Sequence, residues 1–166
     1  MKYTHYIQER SYWCVPACLE SILESKGVLT TQQDIAEKLN ITQDGLEQLD
    51  KNTINKFLEE YNLNCRFSSY FLGDLEPDSW LNEELKENNV LVAYNYQKLH
   101  NSEGYNNHVS IVVKYNIQND KVTLLDPSKE EQVTVPLYGP DKSLVNCMQS
   151  KENMKYGFYI ISQLLV

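Results

Sequence analysis

Apolar positions repeat with a helical period in the first half of the chain and with a strand period in the second. Between residues 15 and 26 they fall at Val15, Cys18, Leu19, Ile22 and Leu23, the stripe of a helix with one buried face. Pro16 suits the first turn, where its missing N–H costs nothing, and Gly27 follows as a C-terminal stop. The helix is therefore predicted to begin right at Cys14. Thr31, with Asp34 three residues on, predicts a capped second helix over 32–39. Asn52 or Thr53 opens a third, running through Leu58 to Tyr61, and Pro77-Asp78-Ser79 precedes a short one over 80–87. Residues 65–71 alternate weakly, as a strand does.

From Val90 the period changes. Residues 90–96, 108–115, 121–125, 131–135 and 156–164 are rich in β-branched and aromatic side chains and read as strands. Gln118-Asn119-Asp120 is the hairpin turn between two of them. Residues 97–107 carry His, Asn, Ser and Gly without an apolar pattern and read as a loop of functional length. A turn over 136–140 precedes a short helix near 142–149. The pattern predicts one α+β domain spanning residues 1–166, with N-terminal helices packed on a C-terminal antiparallel sheet.

Composition narrows the function classes. The net charge is −8, and the 15 Lys and Arg residues are scattered, so the basic footprint that nucleic acid requires is missing. No apolar run reaches the length of a membrane span, and the N-terminus has no apolar signal region; both point to a cytoplasmic protein. The four cysteines, Cys14, Cys18, Cys65 and Cys147, have neither the density of a disulfide scaffold nor the paired spacing of a zinc site. Cys18, Cys65 and Cys147 read as small buried apolar residues. No metal or cofactor is expected.

Cys14 differs because of where it sits. Free backbone N–H groups and the positive end of the dipole at a helix start stabilise a thiolate over a thiol. Gln8, six residues upstream, carries an amide able to donate to a developing oxyanion beside the Cys14 N–H. His108 opens a strand after a polar loop, and Asp126 closes the next strand, held extended by Pro127. Counting outward from Asn119, strict register puts residue 130 opposite His108, so contact with Asp126 needs a bulge or an uneven turn. Taken singly, each residue also has a structural reading: a buried helix-start cysteine, a strand-end histidine, an Asp-Pro turn. Their order along the chain is what selects the chemical one.

That order carries a resemblance. Gln8, five residues, then Cys14-Val15-Pro16-Ala17-Cys18-Leu19 resembles the N-terminal signature of the bacteriocin-processing, double-glycine leader peptidases, papain-like enzymes often fused to export transporters. Thr42-Gln43-Asp44-Gly45-Leu46, Asn107-His108-Val109-Ser110-Ile111-Val112-Val113 and Leu125-Asp126-Pro127 are similar to later stretches of that family, so the likeness runs from Ile7 to Ser128. It implies a papain-like fold and a free-standing cysteine peptidase acting on a peptide or protein substrate. Cys14 is then the nucleophile, His108 the general base, Asp126 its orienting acid and Gln8 the oxyanion donor. One position departs: the family places Gly after the nucleophile, and Val15 stands here, at the expected lip of the cleft. Two other readings share the scaffold: an acyl or peptidyl transferase using the same cysteine, and a non-catalytic peptide-binding module.

Overall fold

Three helices precede the first strand, and each ends for the same local reason. The computed structural model describes residues 3–44, 49–71, 76–103, 107–148 and 156–164. Helix α1 (Cys14–Ser25) buries Val15, Cys18, Leu19, Ile22 and Leu23, the stripe expected from their spacing. It stops where Gly27 takes a φ of 80°, its N–H bonding Glu24 O while Val28 N–H reaches back to Leu23 O. This is a Schellman closure, and the left-handed residue it requires is glycine here. Helix α2 (Gln32–Lys38) closes the same way through Asn40 (φ 51°), and α3 (Lys51–Glu60) through Asn62 (φ 53°). Thr31 caps α2 by accepting from the Asp34 N–H at 3.1 Å, as predicted. At α3 the cap is Asp50, accepting from the Thr53 N–H at 2.8 Å, so the helix opens slightly ahead of the expected position.

The remaining elements are β1 (Cys65–Phe71), α4 (Pro77–Glu87), β2 (Asn89–Asn95), α5 (Tyr96–His100), β3 (Asn107–Asn116), β4 (Lys121–Leu125), β5 (Val133–Pro136), α6 (Leu144–Met148) and β6 (Gly157–Gln163). The six strands form one sheet in the order β1-β6-β2-β3-β4-β5, with every neighbouring pair antiparallel. The α+β class read from the sequence holds. Two features of it were not legible there. The last strand inserts between β1 and β2, tying the chain's end to its middle. The sheet is also covered on both faces: α1, α2 and α3 pack over Leu91, Val109, Ile111, Leu125 and Ile161. Leu81 of α4, Leu99 of α5 and Leu144 of α6 join Val90, Val92, Val112, Leu124 and Ile160 on the opposite face.

Double coverage explains why residues 89–92 are buried without alternation. A strand buried on both sides has no solvent face to mark with polar residues. Among the described helices none is long and apolar enough to cross a membrane.

Candidate active site

Cys14 is the first residue of α1, and its neighbourhood leaves the helix end electrically open. Trp13 provides no side-chain cap, and the first turn contains no acidic residue. The positive end of the helix is thus not neutralised locally, and the half-buried Cys14 sulfur sits against it. Trp13 itself is buried, with the Arg10 guanidinium 4.9 Å from its ring centre.

His108 opens the buried part of β3 and hydrogen-bonds the Cys14 side chain. Its Nε2 donates to Asp126 Oδ1 at 2.7 Å, which leaves Nδ1 as the ring nitrogen for the sulfur. The contact with Asp126 follows from the sheet register. A β-bulge between Val112 and Lys114 shifts the pairing of β3 with β4, so that Ile111 faces Leu125. One step further places Asp126 beside Ser110, diagonal to His108 on the same face. The irregularity needed to bring the two together is therefore present, at the bulge.

Asp126 is fully buried, and all of its acceptor capacity is used. Oδ1 takes His108 Nε2, the Ser128 N–H at 2.8 Å and the Ser128 hydroxyl at 2.7 Å. Oδ2 takes His100 Nε2 at 3.0 Å and the Tyr94 hydroxyl at 3.2 Å. Burial disfavours the charged carboxylate, but the donors from His100, His108 and Ser128 outweigh it and hold Asp126 well below the usual carboxylate range. The same balance acts on His108. Burial works against its cation, but the bonds to Asp126 and Cys14 prevail and push it up to about 10. The ring is thus an imidazolium at neutral pH. Tyr94, pushed well above its ordinary value by burial and the Asp126 charge, remains a hydroxyl donor.

Gln8 lies in the same neighbourhood. Its backbone N–H donates to Pro127 O at 2.8 Å, next to Asp126, and its side-chain Nε2 donates to Ser11 O at 2.9 Å. One amide proton is thereby engaged with the loop that leads into Cys14, and the second is free of that bond. Val15 is not at the lip of the cleft. It is 4% exposed and belongs to the core under α1, so its β-branched side chain does not shape the substrate path.

Three residues of the site were not predicted from the sequence. His100 falls in the stretch expected to be a loop, whose first part is instead the five-residue α5, capped by the Asn95 side chain on the Lys98 N–H and ended by Asn101 at φ 51°. The asparagines three residues before Lys98 and just after His100 were the available cue. Tyr94 read as an ordinary strand aromatic. His5 Nε2 donates to the Asp126 carbonyl at 2.9 Å, so all three histidines of the chain converge on this one aspartate. Residues 45–46, part of the Thr42–Leu46 resemblance, lie outside the described residues.

The other cysteines are free and buried: Cys18 at 1% exposure, Cys65 at 9% and Cys147 at 0%. Burial pushes the thiols of Cys18 and Cys147 up, away from the reactive thiolate. Brief iodoacetamide treatment near neutral pH should therefore label Cys14 alone, read by peptide mapping, and the other three only after denaturation. Equal, slow labelling of all four would remove the activated thiol from the account.

Residues 1–145 match the model of the Peptidase_C39 like family. The chain belongs to that family. No curated protein matches the sequence. Among solved structures, this Peptidase_C39 like chain is similar to a double glycine motif protease from an AMS/PCAT transporter, solved in complex with a leader peptide. That likeness has 14% identity and a TM-score of 0.63, covering 98% of this chain and 93% of that one. A protein described as a C39-like peptidase from Bacillus anthracis matches over 100% of both chains at 12% identity and a TM-score of 0.64. The peptidase domain of Streptococcus ComA, a bifunctional ABC transporter involved in quorum sensing, matches at 16% identity and a TM-score of 0.60, covering 98% of this chain and 100% of that domain. The family match ends just after α6 begins, and β6 lies beyond it.

Proposed function

We propose that the chain is a cysteine peptidase in which Cys14 attacks the scissile carbonyl, His108 transfers protons and Asp126 orients His108. Family membership supports the peptidase. The observation that carries the residue assignment is the unbroken hydrogen-bonded series from Cys14 through His108 to the buried Asp126, set at an uncapped helix start.

In the resting site the proton sits on His108 and the negative charge on sulfur. The thiolate forms a C–S bond to the peptide carbonyl carbon, and the carbonyl π electrons move onto oxygen. The Cys14 N–H and the Gln8 side-chain amide are the donors we assign to that oxyanion. As the tetrahedral adduct collapses, the C–N bond breaks and the leaving amine takes the proton from His108. A water molecule then gives its proton to His108 and attacks the thioester, releasing the carboxylate and restoring the thiolate–imidazolium pair. Asp126 keeps its charge throughout, holding the ring by Nε2 so that Nδ1 faces sulfur.

The substrate class follows from the fold relatives, one of which is solved with a leader peptide. A peptide segment that can lie extended across α1 is the fitting substrate here. The test is mass spectrometry of wild type and Cys14→Ala after incubation with a peptide library, with and without an added amine. Cleaved products, and an acyl adduct on Cys14 in wild type alone, are expected. Products identical in the two proteins would refute the assignment, and amine-capped products in place of free carboxylates would make the enzyme a transferase.

A further inference from the structure

Asp126 binds two imidazoles, and the chemistry above uses one. His100 donates to the oxygen that His108 does not take, and its side chain is only 11% exposed. Its ring lies 4.3 Å from that of Tyr96, which is in turn 4.8 Å from His108, so the two histidines flank one aromatic ring above the carboxylate. The helix that carries His100 is fixed at both ends, by the Asn95 cap and by Asn101.

The two carboxylate oxygens are unequally supported. Oδ1 receives three donors. Apart from His100, Oδ2 receives, among the described residues, only the Tyr94 hydroxyl, at 3.2 Å. A fully buried carboxylate oxygen left with one long bond is under-satisfied, and rotation of the group is its way to regain donors. Other titratable groups facing the cluster do not replace the His100 donor. On α5, the Lys98 ammonium is held by Asn146 of α6, at 2.7 Å from its carbonyl and 3.0 Å from its side-chain oxygen. Beyond β4, the Lys129 ammonium lies over the Tyr96 ring, 5.6 Å from its centre. From the N-terminal segment, His5 bonds the Asp126 main chain and not its carboxylate. On β2 and β3 the facing titratable groups are Tyr94 and His108, and at α1 they are Cys14 and Cys18, both of which act on the cluster. Among the described residues, the side-chain nitrogens that meet the Asp126 carboxylate are those of His100 and His108.

We propose that His100 is a positioning residue for the Cys14–His108 pair: by holding Oδ2 it prevents the Asp126 carboxylate from rotating and keeps Oδ1 on His108 Nε2. The proposal rests on the reading of Cys14, His108 and Asp126 as the catalytic set. His100 touches neither sulfur nor substrate in this role.

The test compares wild type, His100→Ala and His100→Gln in two measurements. One is the rate of Cys14 alkylation by iodoacetamide across pH. The other is the NMR titration of the His108 ring. His100→Ala is expected to lower the neutral-pH rate on the order of tenfold or more and to move the His108 titration to lower pH. His100→Gln, whose amide N–H can reach the same oxygen, should recover most of both. Should His100→Ala fail to fold, His100→Phe fills the space without the donor and takes its place. A variant that melts earlier yet keeps the wild-type rate profile and titration would overturn the proposal, because a purely structural residue behaves that way. A wild type whose Cys14 reacts no faster than a cysteine in the unfolded chain overturns the catalytic reading itself, and this proposal with it.

Discussion

Cys14→Ala and His108→Ala should each lose peptide hydrolysis by roughly four orders of magnitude or more while keeping the native circular dichroism spectrum. The expectation follows from how the residues are held. Cys14 is a half-buried residue at the end of a helix whose stability comes from Val15, Leu19, Ile22 and Leu23 further along, so losing the sulfur leaves the packing of α1 intact. His108 is more deeply set, at 5% exposure, but Tyr94 and Tyr96 line it from both sides and Asp126 keeps four other donors without it. In the proposed mechanism the two residues act as one ion pair, so the double variant should be scarcely less active than either single one. Additive losses would show that they work independently, contrary to the proposed mechanism.

Asp126 should behave differently, because in the proposed mechanism it serves the fold and the chemistry together. Asp126→Ala strands the His100 and His108 Nε2 donors and leaves the Tyr94 and Ser128 hydroxyls only Ser110 and Tyr96 to bond, and breaking such an assembly costs about 3–5 kcal/mol. At roughly 2–4 °C per kcal/mol for a chain of this size, the melting temperature should fall by about 10 °C, with activity lost as well. Asp126→Asn should be milder. Its oxygen can still accept from His108, while its amide now meets His100 and the Tyr94 hydroxyl, so His100 must turn its unprotonated nitrogen toward it. The variant should fold, melt between the other two and hydrolyse slowly, because an uncharged partner no longer supports the imidazolium.

The pH dependence gives this prediction a second handle. His108 is raised on folding, so its contribution to stability is full below its ordinary value of about 6.5 and fades as pH rises through about 10. Asp126 is lowered, so its contribution is present above the ordinary carboxylate range and fades as pH falls below it. The stability gap between wild type and Asp126→Ala should therefore be widest from about pH 4 to 6.5 and shrink toward either side. A gap that does not vary with pH would mean that the charge on Asp126 contributes nothing and that only its packing matters.

Much of this site could be read from the sequence because its chemistry is written locally. A helix start is marked by Pro16 and the apolar stripe, and that marking placed Cys14 at the first residue of α1. The β4 boundaries, Lys121–Leu125, coincide with the predicted 121–125, because the turn before the strand and Asp126-Pro127 after it punctuate the chain. The His108–Asp126 contact was harder. It depends on a bulge between Val112 and Lys114, and nothing in a run of β-branched residues announces a bulge. His100 was missed for a related reason. Its helix is too short for a period to show, and its partner lies 26 residues away on another element. Val15 was misplaced because a family position was projected onto the cleft, whereas its place in the α1 stripe already assigned it to the core.

The central claim is that Cys14 and His108 share one proton as a thiolate–imidazolium pair supported by Asp126. It is tested most directly by NMR titration of the His108 ring in wild type and in Cys14→Ala. The chain has three histidines, so the spectrum is simple, and His5→Gln and His100→Gln assign it. In wild type the His108 signals should remain those of an imidazolium through neutral pH and titrate at about 10. In Cys14→Ala, with the sulfur's share of the support removed, the same signals should titrate at a clearly lower pH. A His108 that titrates near its ordinary value in both proteins would contradict the account.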